Sequence, residues 1–292
     1  MTRITSAIGH FFRKSLTTMT LRVTSLASGS SGNALLIELD RSGAQLGALL
    51  VDCGLPQRRI ERHLAHAGLR PADLAAILLT HEHGDHAMSA GSIARRHGVP
   101  VIANAPTAGA LSVSLSGIEV RTLPIGISMT IGPFSIRSFP VPHDAAAPVG
   151  YTIRAGDWCV GVAIDLGSWD DAVLAGLREA DLVVLEANHD REKLRVAPYD
   201  WAVKQRIFSP LGHLDNMEAG AILTRLGADG RRRTAWLAHL SEHANSPGIA
   251  LNIVSSVLAL ADIRCIDLQA LPRHAPLIWE SDRYLEQLEL FV

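Results

Sequence analysis

Cysteine is scarce in this sequence: Cys53, Cys159 and Cys265 are the three thiols in 292 residues, and no Cys-x-x-Cys pair occurs. An odd number of widely spaced thiols in apolar, strand-like contexts argues against a disulfide framework or a thiolate metal site, and points to reduced thiols in a cytoplasmic protein. Long hydrophobic runs are lacking too. The most apolar stretch, residues 249–263, is interrupted by Asn252, Ser255 and Ser256 and falls short of a bilayer span, so it reads as a buried helix and no membrane partner is expected. Net charge is only −2 and the isoelectric point is near 6.7, which excludes a global basic footprint but not a local basic groove. Aromatics make up 5% of the chain and form no evident stacking platform; the five tryptophans read as core or interface residues. Residues 1–20 contain no acid and lack the apolar core of a secretory signal. They read as an extension, either disordered or the product of an over-extended start codon, preceding a single domain over 21–292.

What the chain does have is 48% hydrophobic composition, enough for a large core. Short strands are predicted at 21–26, 34–39 and 48–52, separated by Ser/Gly-rich turns, with 29–33 a tight turn. Helical periodicity follows at 57–67, 88–96, 107–115, 198–207, 216–226 and 247–261. Further strands are predicted at 99–102, 118–123, 134–139, 151–154, 158–164, 182–185, 234–238 and 265–268. Strands and helices alternating with consecutive strand pairs indicate a layered α/β sandwich rather than one doubly wound sheet. Residues 276–292 carry no clear signal.

The chemistry concentrates where strands end. The apolar run at 75–79 stops at Thr80-His81-Glu82-His83-Gly84-Asp85-His86. His81 and His83 can reach one ion while Asp85 and His86 are positioned for a second, and the i,i+4 spacing of helical zinc proteases is absent. Later strands end in the same manner, at His143 in a Pro-stiffened loop, at Asp165, at Glu186 and at His239, and His213 follows a glycine. Asp52 closes another strand, where a carboxylate orients a metal-binding loop or, more plainly, caps the strand. These donors suffice for two divalent ions sharing an aspartate, and imidazole with carboxylate suits Zn or Mn, with Fe also compatible. Two ions about 3.5–4 Å apart lower the pKa of a bridging water, so the natural reaction is hydrolysis of an ester, amide or phosphodiester.

The motif at 80–86 resembles the THxHxDH signature of the metallo-β-lactamase superfamily, whose four-layer αββα sandwich is therefore the expected fold. The contexts Glu186-Ala187, Gly212-His213 and His239-Leu240-Ser241 resemble successive motifs of its RNase Z branch. That resemblance implies His81, His83 and His143 on one ion, Asp85, His86 and His239 on the other, and Asp165 between them. It also implies a relay in which Glu186 charges His213 as general acid on the leaving oxygen while a metal-bridging hydroxide attacks. Asp85, Glu186 and His213 are accordingly the candidate catalytic residues. Over residues 21–263 the chain is similar to the nuclease-like YycJ/WalJ-type group, through residues 25–33, 80–86, 143–145, 186–190, 212–214 and 239–241. Two departures concern the substrate-facing loops: a serine is expected where Asp215 stands, and an asparagine near His243. Arg191, Lys193, Arg195, Lys204 and Arg206 are candidate groove residues for a phosphate backbone, Lys204 and Arg206 foremost, whereas Arg231, Arg232 and Arg233 read as a solvated turn.

The expected function is a dinuclear metal-dependent hydrolase of nucleic acid, in the manner of an exonuclease; a homo-oligomer remains open. A thioesterase, lactonase or small cyclic-phosphodiester hydrolase on the same fold is the rival enzyme class. A non-catalytic regulatory metal-binding protein is the rival non-enzyme.

Overall fold

The computed structural model describes residues 19–283. Two seven-stranded mixed sheets face each other. The first contains β1 (Met19–Ala27), β2 (Ala34–Arg41), β3 (Ala44–Val51), β4 (Ala76–Leu78), β5 (Val101–Ala103) and β6 (Val120–Thr122). The second contains β7 (Ser128–Ile131), β8 (Phe134–Pro140), β9 (Val149–Ala155), β10 (Trp158–Ala163), β11 (Leu182–Glu186), β12 (Arg233–Ala238) and β13 (Ile266–Ala270). β14 (Leu277–Glu280) returns to the first sheet and pairs antiparallel with β1, with Val23 opposite Trp279.

Three apolar layers explain the order. Inward-facing residues of both sheets, among them Ile37, Leu49, Ile136, Tyr151, Val160 and Trp236, form the central core. The outer face of the first sheet packs against helices Gln57–His66 and Ala90–His97 through Leu36, Leu50, Ile60, Leu64 and Ile93. The outer face of the second packs against Asp171–Leu177, Asn216–Gly227 and Pro247–Leu260 through Leu174, Val183, Leu223, Leu237 and Val254. Strands covered on both faces are apolar along most of their length, with polar residues at their ends. Trp158–Ala163, Leu182–Glu186 and Arg233–Ala238 are indeed buried throughout. The fold is the αββα sandwich expected from the sequence.

Parallel pairing decides where the chemistry sits. β3 to β6 are mutually parallel, as are β10 to β13. Their carboxyl ends therefore emerge together at one edge of each sheet, where α/β folds place their ligands.

Several expectations need correction. β1 starts at Met19, and Thr20 Oγ1 donates to Asp282 Oδ2 at 2.6 Å, so residues 19 and 20 belong to the fold; the rest of the expected extension lies outside the described residues. The helix expected at 198–207 begins at Trp201, and a second one, Arg191–Val196, precedes it, started by the Asp190 side chain on Lys193 N. The helix expected at 107–115 is Ala105–Ala110, capped by Asn104. The arginines at 231–233 are not simply a solvated turn. Arg233 is fully buried, its two Nη atoms donating to Asp229 and to the carbonyls of Leu226, Arg231 and Arg178, while Arg231 pairs with Asp181 at 2.7 Å. Five donors in a planar fork allow such burial once carbonyls are already aimed at them. Trp158, Trp236 and Trp279 are core residues, whereas Trp201 is 65% exposed. Among the described residues no helix is long and apolar enough to cross a membrane.

Glu38 on β2 is buried with Oε2 lacking a hydrogen-bond partner. Arg22, Asp40 and Glu280 face it, and Arg22 gives its Nε to Glu280 instead. Burial pushes the Glu38 carboxyl up from 4.5 to about 7, so the folded chain keeps a proton that the unfolded chain releases. That contribution is fully present below the unfolded value and is lost as pH rises through the folded one. Glu38→Gln should therefore raise the melting temperature relative to the parent near pH 8 and change it little near pH 4.5, as checked by thermal denaturation at both pH values.

Candidate active site

Residues 80–86 form the loop after β4, and backbone from the first sheet holds it on both sides. Asn33 N donates to Asp85 O at 2.8 Å and Cys53 N to His86 O at 2.6 Å. A Cβ on Gly54 would stand 1.6 Å from Asp85 O, so only glycine permits this approach. The turn at 29–33 is a scaffold: Asn33 Oδ1 accepts from Gly29 N at 2.9 Å, Gly32 N donates to Gly29 O, and Ser28 Oγ accepts from His239 N at 2.8 Å.

Asp52 clamps the start and end of the loop. Its Oδ1 accepts from Thr80 N at 2.9 Å, and its Oδ2 lies 2.7 Å from His86 Nδ1. A carboxylate on Nδ1 sets the tautomer and leaves Nε2 facing the site. His143 is oriented in the same way, its Nδ1 2.9 Å from Gly212 O.

The strand ends converge on Asp165. His81, His83, His143 and Asp165 each offer a ligand atom within 4.8 Å of the others, and so do Asp85, His86, Asp165 and His239. Asp165 Oδ2 lies 3.2 Å from His86 Nε2 and 3.5 Å from both His81 Nε2 and His143 Nε2, while its Oδ1 lies 2.7 Å from His239 Nδ1. The Nε2 atoms of His81, His143 and His239 are buried without a hydrogen-bond partner. Leaving several polar atoms desolvated and unpaired is costly, and a cation at their common focus removes that cost. Burial pushes His81 and His143 down, the direction that leaves neutral imidazole lone pairs. Burial opposes ionisation of Asp165, but His239 and His86 hold its carboxyl well below the usual range. Asp52, Asp165 and His239 have φ of 59°, 56° and 54°, a left-handed conformation that L residues adopt at a cost. All three are strand-terminal residues aimed at this focus.

A third cluster joins Asp165, Glu186, His213 and His239. Glu186 Oε2 accepts from Leu166 N at 2.8 Å and Leu214 N at 3.2 Å. Its Oε1 lies 2.9 Å from His213 Nδ1 and 2.8 Å from His239 Nδ1. Against the opposing effect of burial, His213 and His239 hold Glu186 down to about 2, so it is a carboxylate. Burial likewise opposes charge on His213, yet Glu186 raises its pKa above the ordinary value. The His213 ring stands 5.2 Å from those of His143 and His239, beside the metal-ligand candidates.

The two foremost groove candidates are engaged elsewhere. Arg206 forms a fork on Asp144, at 2.5 and 2.8 Å, at the rim next to His143. Lys204 Nζ donates to Arg195 O at 2.7 Å on an exposed helix face. Asp215, where a serine was expected, caps Asn216–Gly227 through Met217 N and Glu218 N and binds Arg191 Nε. Two residues beyond His243, the Asn245 amide donates to Ala187 O and Asn188 O. Sequence reasoning missed Asn188, which donates to His239 O at 2.9 Å, and Tyr151, whose hydroxyl donates to Leu79 O at 2.6 Å behind the histidine loop. Asn188 had a legible signal, a polar residue just past a buried strand; Tyr151 had none.

The family model described as Beta-lactamase superfamily domain matches residues 48–240. The chain is 38% identical over 244 residues to Exodeoxyribonuclease WalJ of Streptococcus pneumoniae serotype 2 (strain D39 / NCTC 7466), covering 82% of this chain and 88% of that protein. It is 35% identical over 243 residues to Exodeoxyribonuclease YycJ of Bacillus anthracis, covering 82% and 90%. The crystal structure of the metallo-beta-lactamase fold protein YhfI from Bacillus subtilis superposes with a TM-score of 0.67 over 90% of this chain and 100% of that one, at 20% identity. With matched residues that contain the histidine loop and all three clusters, the chain belongs to the beta-lactamase superfamily, alongside the WalJ and YycJ exonucleases.

Proposed function

We propose that this protein is a dinuclear metal-dependent exonuclease that hydrolyses phosphodiester bonds in DNA. One observation carries the reading: a donor set for two cations shares a wall with a buried Glu186–His213 dyad, so a proton can be delivered beside the metal-binding focus. The exodeoxyribonuclease relatives support DNA as the substrate. His81, His83 and His143 would hold one ion, Asp85, His86 and His239 the other, and Asp165 both; the buried, unpartnered Nε2 atoms fit that role. Imidazole and carboxylate donors without thiolate suit Zn or Mn, with Fe compatible. Such ions supply Lewis-acid polarisation of the phosphate and a water acidic enough to ionise near neutral pH.

The chain's own groups do the rest. Asp85, the most exposed carboxylate of the clusters at 25%, accepts the proton shed by the attacking water. Glu186 fixes Nδ1 of His213, so the opposite nitrogen presents a proton to the departing oxygen. Thioester or lactone opening on this scaffold has no comparable need for that dyad. Three cysteines without a disulfide support a cytoplasmic location.

His81→Ala and Asp165→Ala should each reduce exonuclease activity on end-labelled DNA with Mn²⁺ or Zn²⁺ by about a thousandfold or more and reduce the bound metal measured by mass spectrometry. His213→Ala and Glu186→Gln should lower kcat by about 10²- to 10⁴-fold, with metal content unchanged for His213→Ala. An unchanged rate in these two would remove the relay. Asp52→Asn, which weakens the hold on His86 Nδ1, should weaken metal binding about 10- to 100-fold in a calorimetric titration while circular dichroism stays that of the parent.

A further inference from the structure

Beyond His213, away from the metal-ligand candidates, lies a cavity of about 590 Å³. Pockets of about 300–1,000 Å³ take small organic ligands, so there is room for one nucleotide. His213 forms part of the lining, together with Trp169 and Phe208, two arginines, Arg191 and Arg195, and His189. Cations and flat aromatic surfaces in one cavity match the two halves of a nucleotide.

Each wall is held for the purpose. Asp215 is itself fixed by two helix amides, and its Oδ2 grips Arg191 Nε at 2.5 Å. This holds the guanidinium by one edge; its Nη2 makes a longer ion pair with Glu218 Oε1 at 3.7 Å, and a phosphate on the half-exposed guanidinium would displace that weaker contact. Glu218 Oε2 accepts from Trp169 Nε1 at 2.8 Å, which orients the indole. Arg195 is 63% exposed and touches Glu192. His189 is 2% exposed, stands edge-on to Phe208 with ring centroids 5.5 Å apart, and has a buried Nδ1 without a hydrogen-bond partner. Burial pushes it down to about 4, so it is a neutral ring suited to a base edge rather than to a phosphate.

We propose that this cavity seats the nucleotide that leaves in each cut, with its terminal phosphate on Arg191 and Arg195 and its base against Trp169 and Phe208. The inference rests on the nuclease reading for its direction. Hydrolysis forms a bond from water oxygen to phosphorus and breaks the bond from phosphorus to the leaving oxygen, which takes the proton held by His213. The fragment on His213's side therefore carries the leaving oxygen, and the proposal seats the end nucleotide on that side, so that the phosphate on the arginines is its terminal one and not the one being cut. The shared ligand chemistry is a nucleoside monophosphate, whether its phosphate sits on the 5′ or the 3′ oxygen.

The test is calorimetric titration of the full-length, metal-loaded protein with deoxyadenosine 5′-monophosphate, deoxyadenosine 3′-monophosphate and deoxyadenosine, none of which contains a phosphodiester. One of the two monophosphates should bind at a single site, with deoxyadenosine much weaker, and the preferred isomer assigns the end that is read. Arg195→Ala and Arg191→Gln should each weaken it about 10- to 100-fold. Arg264→Ala should not; that residue is 89% exposed and precedes β13 at the opposite sheet edge. Equal affinity in the parent and both cavity variants, or deoxyadenosine binding as tightly as its monophosphates, overturns the proposal. The two readings fail separately. Arginine-dependent binding without activity on any DNA keeps the nucleotide cavity and sinks the nuclease, whereas activity with arginine-independent binding sinks the cavity alone.

Discussion

The buried carboxylate of Asp165 is the constraint on which the rest of the structure depends. Five imidazoles, those of His81, His86, His143, His213 and His239, come within 3.8 Å of its oxygens. The αββα architecture makes that convergence possible by bringing the carboxyl ends of two parallel half-sheets to one edge. Neither sheet alone contains the site: the loop after β4 brings the first histidines, while β10, β11 and β12 bring Asp165, Glu186 and His239. Packing the sheets and assembling the site are therefore one event, driven by the apolar core between them.

Glu186 connects the two chemistries of the site. One of its oxygens serves both His213 and His239, the proposed proton donor and a metal-ligand candidate, and the other is tied to the backbone on either side. A change at this carboxylate removes the partner of both rings, whereas a change at His213 leaves the contact to His239 in place. Asp52 plays the corresponding part for the histidine loop, holding Thr80 and His86 at once. Left-handed backbone at Asp52, Asp165 and His239 is local strain that the surrounding hydrogen bonds and packing offset. Strain of this kind is tolerated where a side chain must leave a strand at a particular angle.

The seven donor positions were legible in the sequence because each is a local event. A buried strand must be apolar, so an abrupt switch to His or Asp marks its end, and the parallel strands of this fold end on the same side. His81, Asp165 and His239 follow that rule, whereas His143 comes after β8, which is antiparallel to both neighbours and partly exposed. A layered sandwich was legible too, from the alternation of strands and helices, with the order of its layers supplied by the superfamily resemblance. Side-chain pairing was not. Arg206 turned to Asp144, 62 residues away, and Arg233 was drawn into the interior by carbonyls belonging to three separate segments. β14 found its partner about 260 residues upstream, on a segment whose own composition gave no warning.

Sequence by itself thus determined the layered α/β class and the candidate donors at strand ends, since residue type and strand-end placement are encoded within a few neighbours, while the resemblance to a known superfamily supplied the four-layer fold and the candidate pairing of Glu186 with His213. Tertiary structure alone decided which arginines are engaged, which histidine nitrogens remain unpartnered, and that Trp169, His189 and Phe208 share a cavity with Arg191 beside His213. Those outcomes depend on distances between residues far apart in the chain, and such distances exist only once the two sheets and their helices have packed.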